Sequence, residues 1–221
     1  MNKPRDDSGE TSRTEERPST ARSPLQARGR ARIEAVLDAT AELIVEKGLE
    51  GVTMHGVARR AQTPIGSMYH FFPDRDSLLA ALWDRHIAAL EELEDELSQI
   101  DNDTWRALTA EAVIDRFMTP HIDYFERNPD CLMLMPSMRH DEDKKKHKHS
   151  TLRRVIDTRM PDIKPSEREL YVDMIHALAS GALTVKLRSA MGDVQLAKRY
   201  LREVRRALAA YLAAVEAAVA R

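Results

Sequence analysis

Between Gly51 and Leu79 the chain reads GVTMHGVARRAQTPIGSMYHFFPDRDSLL, a run that few folds accommodate. Thr53 is placed to cap a short helix carrying Val57 and Ala58. Gln62-Thr63-Pro64 breaks that helix, and proline suits the first turn of a second short one over about residues 65–71. Pro73-Asp74 closes the second helix, and Asp74 or Asp76 can cap a long third, in which Leu79, Leu82, His86, Leu90, Leu93, Leu97 and Ile100 recur every three or four residues. Two short helices around such a break predict a helix-turn-helix, whose second helix has the width to enter the major groove of duplex DNA. Val57, Ala58 and Ala61 would pack the two helices together, while Phe72, Leu78 and Leu79 fix them to the rest of the domain. That leaves Gly66, Ser67, Tyr69 and His70 outside the core.

The remaining chain also reads as helix. Ile33, Val36, Leu37, Thr40, Ala41 and Ile44 line one helix face, which Lys47-Gly48 ends. Residues 1–27 are a polar tail whose five basic and five acidic residues cancel, and the composition predicts disorder. Arg22, Arg28, Arg30 and Arg32 are the candidates for a DNA-touching arm. Downstream, Asn102 to Thr104 mark a break, and a helix is expected from Trp105 to about Arg127, bent or interrupted at Pro120. A short apolar stretch from Cys131 to Met138 precedes the charged run 140–149. A modest helix follows at about 152–160. Pro165-Ser166 with Glu169 resembles a capping box opening a helix to about Met191, and a last helix follows Gly192-Asp193. The count is about nine helices with no convincing strand, an all-α chain; aromatic residues at 5% agree, because strands favour aromatic and β-branched side chains.

The net charge of −2 carries no global basic signature, so any nucleic-acid contact requires a local patch. Residues 28–86 hold eight basic and eight acidic side chains, which must therefore be segregated. A single cysteine, Cys131, excludes an internal disulfide, and no apolar run approaches membrane-spanning length. With no signal-peptide core at the N-terminus, a soluble cytoplasmic protein is expected. Nothing resembles a catalytic constellation: the only approach to a Glu-x-x-His pair is Asp173 before His176, and no phosphate-cradling glycine loop occurs. No enzyme, cofactor or metal site is expected. The run HDEDKKKHKH at 140–149 has neither helix-fixed geometry nor paired cysteines, and reads as a solvated loop.

Three segments resemble the TetR family of transcription regulators: residues 32–48 as the first helix leading into EKGLEGVT, VARRAQTPIGSMYHFF at the turn and recognition helix, and YHFFPDRDSLLAAL. The likeness covers residues 30–86. One departure is the turn, where the family usually has glycine and a β-branched residue and this chain has Gln62-Thr63-Pro64. The resemblance implies a three-helix DNA-binding domain at 28–75 and an effector-binding and dimerisation domain at 76–221. It implies a dimer formed by the last two helices, repression from a palindromic operator in duplex DNA, and release by a small-molecule effector. Carried over by position, the DNA-contacting residues are Thr53, His55, Gly66, Ser67, Tyr69, His70 and Arg75, with Gly66 and Ser67 at base edges and Thr53, Tyr69 and Arg75 on phosphates.

The effector domain gives weaker signals. Trp105, Phe117, Tyr124, Met135 and Met174 are candidates for an adaptable apolar cavity, and His86, His121 and His176 for polar contacts within it. Small residues at Ala177, Gly181, Ala207, Ala210 and Ala214 would let two helices from each protomer approach closely. Two other readings stay open: a helical scaffold that binds protein in place of DNA, and an activator of the same fold.

Overall fold

The computed structural model describes residues 24–135, 150–183 and 194–219. Ten α-helices occur among them: α1 (Pro24–Lys47), α2 (Met54–Arg60), α3 (Ile65–Phe71), α4 (Arg75–Ser98), α5 (Asn102–Ala107), α6 (Ala110–Arg127), α7 (Pro129–Leu134), α8 (Ser150–Arg159), α9 (Pro165–Ala182) and α10 (Val194–Val219). A single 3-10 turn at Leu49–Gly51 links α1 to α2, and no described residue lies in a strand. Pro24 to Ala27, expected with the tail, already form the first turn of α1. The charged run 140–149 and Gly192-Asp193 lie outside the described residues.

Local chemistry sets most boundaries. Thr53 caps α2 by accepting from the Gly56 amide at 3.1 Å. Asp74 caps α4 in a reciprocal box with Ser77, accepting from its amide at 2.7 Å, so of the two candidate caps it is Asp74 that serves. The stretch from Trp105 to Arg127 breaks elsewhere than expected. Asp101 starts α5 at Asn102, and Thr109 caps α6 by accepting from the Ala112 amide, so the break falls at Leu108. Helix α6 runs through Pro120 because Val113, Ile114, Met118, Ile122 and Phe125 bury one face on both sides of it, and that packing outweighs one missing amide bond. Lys164, whose side chain makes no cap bond, precedes α9. Proline at its first position supplies the start, and Glu169 instead takes Arg153 of α8 in two bonds of 2.9 and 2.6 Å.

Two hydrophobic cores result. The N-terminal core joins α1, α2 and α3 to Leu78, Leu79 and Leu82 of α4. The C-terminal core centres on α6, α8, α9 and α10, with Trp105 fully buried against it. Helix α7, whose residues the sequence marked only as apolar, connects them: Cys131 and Leu132 belong to the C-terminal core and Leu134 to the N-terminal one.

The turn between α2 and α3 solves the missing glycine by another route. Gln62 adopts φ 49°, the left-handed conformation glycine usually supplies. Its amide bonds Arg59 O and the Thr63 amide bonds Ala58 O at 2.9 Å, the paired bonds of a Schellman cap. Left-handed backbone costs a non-glycine residue about 1 kcal/mol. Gln62→Gly is therefore expected to raise the urea midpoint slightly, part of the gain being offset by the freer unfolded chain. Gln62→Val is expected to lower it; a valine variant as stable as the parent would contradict the cap.

Candidate nucleic-acid interface

The helix-turn-helix is built around α3. Its inner side is anchored by Met68, fully buried, and by Phe72, which follows the helix. Its outer side presents Ile65 and Tyr69, one turn apart and 36% and 46% exposed, beside exposed Gly66 and His70. Ser67 is half-buried; Thr53 and His55 are exposed at the start of α2. Six of the seven DNA candidates are thus exposed or half-buried, two at the start of α2 and four on α3. Ile65 was missed by the sequence reading. An isoleucine beside a break looks like core, and only the burial of Met68 shows which way α3 is turned.

Arg75, the seventh candidate, is turned inward. Its Nε donates to Val52 O at 3.0 Å and one terminal nitrogen to Leu49 O at 2.6 Å. The guanidinium clamps the 3-10 turn that leads to Thr53.

Ion pairs account for part of the charge in this domain. The acidic side chains of α1 tie down two of the basic ones: Glu42 and Glu46 hold Arg60, while Glu34 and Asp38 hold Arg85 at 3.3 and 2.7 Å. Arg60 donates to both carboxylates, which raises its pKa further, while Arg60 draws that of Glu46 down. The pairing of mid-α1 with mid-α4, and of the turn after α1 with Arg75 at the start of α4, shows that the two helices run antiparallel. Arg28, Arg30 and Arg32 therefore lie toward the end of α1 away from Thr53.

The effector candidates fall into three groups. His86 is buried on α4, with Nδ1 2.7 Å from the Tyr124 hydroxyl and Nε2 2.8 Å from Asp130 Oδ2. With Nε2–H donating to Asp130 and the Tyr124 hydroxyl donating to Nδ1, both contacts are satisfied. Burial, reinforced by Cys131 and Asp130, pushes the Tyr124 pKa up to about 12, so it keeps that proton. Burial also pushes the Cys131 thiol up to about 12, which leaves it a poor nucleophile. In the second group, Trp105 stacks on Phe117 at 5.2 Å, and its indole N–H is buried with no hydrogen-bond partner among the described residues. His121 contacts Phe117 O at 2.8 Å, and Met135 packs at the edge of the C-terminal core. Met174 and His176 form the third group: both are exposed on α9 and are not brought together with the others. A groove of about 720 Å³ opens between α6 and α10, but Glu111, Asp115, Asp123 and Glu126 face Lys198, Arg202 and Arg206 across it, and no effector candidate lines it.

The arrangement is a helix-turn-helix head on an all-α body. Residues 36–82 match the sequence profile of bacterial regulatory proteins, tetR family. The chain is 44% identical over 52 residues to the HTH-type transcriptional regulator BetI of Burkholderia thailandensis, an alignment covering 24% of this chain and 26% of BetI. It is 35% identical over 83 residues to the HTH-type transcriptional repressor KstR of Mycobacterium tuberculosis, covering 38% of this chain and 33% of KstR. These alignments span a third or less of either relative. The whole fold is similar to that of the transcriptional regulator FadR from Bacillus subtilis, solved in complex with stearoyl-CoA, at 14% identity and a TM-score of 0.56 over 80% of this chain and 97% of that one. Residues 36–82 are thus similar to the tetR family, and the chain as a whole has a fold similar to that of TetR-family regulators. No described helix is long and apolar enough to cross a membrane.

Proposed function

We propose that the chain is a dimeric transcription regulator of the cytoplasm, not an enzyme, which represses from a palindromic operator and is released by a small-molecule effector. The observation that carries this reading is α3, an otherwise well-anchored helix that leaves Ile65, Gly66, Tyr69 and His70 outside the fold in a tetR-family head. In this assignment Thr53 and Tyr69 contact phosphates, Gly66, Ser67 and His70 face base edges, and His55 lies at the rim. Arg75 acts indirectly, by fixing the turn that presents Thr53. The reading head corresponds to residues 28–75 and the effector and dimerisation part to 76–221, with 1–27 as a tail. Repression follows the naming of KstR.

The outer side of α9 supports dimerisation. Leu170, Met174 and Leu178 recur every four residues and are all exposed, an apolar stripe that a lone helix would not keep in water. Exposed Ala207, Ala210 and Ala214 give α10 a matching smooth side. Leu178→Glu is expected to weaken the dimer at least about tenfold, since two carboxylates would be buried across a two-fold axis. Sedimentation of the variant as a dimer at the parent's concentration would remove α9 from the interface. The effector would enter the C-terminal core beside Trp105, whose buried N–H has no acceptor among the described residues, and a fatty-acyl-type ligand is the first to try in view of FadR.

The test of the function is selection from random duplexes with the purified chain at moderate salt. Enrichment of a palindrome is expected, because a two-fold protein reads two related half-sites. A folded dimer that enriches nothing at low salt would favour the protein-binding scaffold.

A further inference from the structure

We propose that Ile65 and Gly66 form an apolar notch that takes the C5-methyl group of a thymine, one in each half-site of the operator; this rests on the DNA-reading role of α3.

Gly66 is the first observation. Of the four glycines from Gly48 to Gly66, the fold demands three. Gly48 has φ 72°, and a Cβ at Gly51 or Gly56 would lie 2.4 Å from Lys47 Cβ or 2.9 Å from Thr53 Oγ1. At Gly66 a Cβ would meet nothing within 4 Å, and its φ is not positive. Glycine is also the poorest helix former after proline. Neither backbone nor packing explains it; the same holds for Gly29 and Gly181, but of these three Gly66 is the one on α3, where the open space leaves room for something outside the chain.

Ile65 is the second. It lies on the outer side of α3, one turn before Tyr69, while Met68 and Thr63 face inward. A branched apolar side chain next to a missing Cβ makes a shallow recess with an apolar wall. In the major groove, the feature that suits it is the thymine C5-methyl; the other base edges there present hydrogen-bonding groups. Those groups would lose water against Ile65 without gaining a partner, so the notch rejects them as well as accepting the methyl. The absent Cβ lets the helix backbone approach by about the thickness of a methyl group.

The test begins with the selected palindrome and replaces each thymine pair, one symmetric position at a time, by deoxyuridine, which removes only the methyl. One position is expected to lose about fourfold in affinity per half-site. That loss should vanish in Ile65→Ala, which binds thymine and deoxyuridine operators alike. Gly66→Ala should show opposite signs in two assays: thermal midpoint raised by about 2–4 °C, operator affinity lowered at least about tenfold. An enriched palindrome with a flat deoxyuridine scan overturns the notch alone. So does an unchanged methyl effect in Ile65→Ala, or a Gly66→Ala variant that binds as the parent does. A folded parent that enriches no site overturns the regulator reading and the notch with it.

Discussion

Asp130→Ala is expected to destabilise the folded chain by about 3 kcal/mol, among the largest effects of any single truncation here. Asp130 is 3% exposed and receives His86 Nε2 at 2.8 Å. Its loss leaves a buried imidazole N–H without a partner and a void where the carboxylate stood. The cost falls where α4, α6 and α7 meet, since Tyr124 of α6 holds the other ring nitrogen. Thermal unfolding should move down by about 6–12 °C for a chain of this length. Replacing His86 and Asp130 together by leucine is expected to cost far less than the two single truncations summed, because the buried pair then leaves as a unit and only the part-buried Tyr124 hydroxyl loses its partner. Additive losses in that double-mutant cycle, measured by urea unfolding, would show that the pair does not act as a unit.

Arg159→Met should cost about as much, again about 3 kcal/mol. The Arg159 side chain is 9% exposed and divides its donors three ways: Nε to Glu216 of α10 at 2.5 Å, and one terminal nitrogen to the carbonyls of Trp105 and Leu108 at 2.7 and 2.6 Å. It thereby satisfies the end of α5 while tying α8 to the last helix. Arg159→Lys is expected to recover little of the loss, since one ammonium lacks the planar fork that reaches acceptors in two directions. Trp105 gives a local readout, and its fluorescence should shift to the red as α5 loosens. A methionine variant within 1 kcal/mol of the parent would mean that water replaces the guanidinium at these carbonyls without loss.

Such effects bear on function through α7. Leu134 sits in the core of the reading head and Leu132 in the core of the body, with Asp130 holding α4 one turn away. On the proposed function, an effector that moves the C-terminal core acts on the head through these contacts. Tightly packed elements transmit displacement because they do not deform continuously.

The sequence by itself determined the elements whose signals are local. Thr53 and Asp74 cap their helices through bonds to amides three residues away, and the break at Gln62-Thr63-Pro64 is written in backbone preferences, even though Gln62 takes the left-handed turn in place of glycine. The all-helical body and the family likeness of the head follow from the same short-range patterns. Only the tertiary structure decided what depends on partners distant in the chain. Arg75 turned inward because carbonyls 23 and 26 residues before it lay within reach. Glu169 left its expected cap for Arg153, a residue on another helix. His86, read as a ligand contact, is held between Tyr124 and Asp130, and Met174 faces outward on α9. Helix periodicity says which residues share a face, but the neighbour that face meets is set by how the helices pack, and for Ile65 that packing left an apolar side chain facing out.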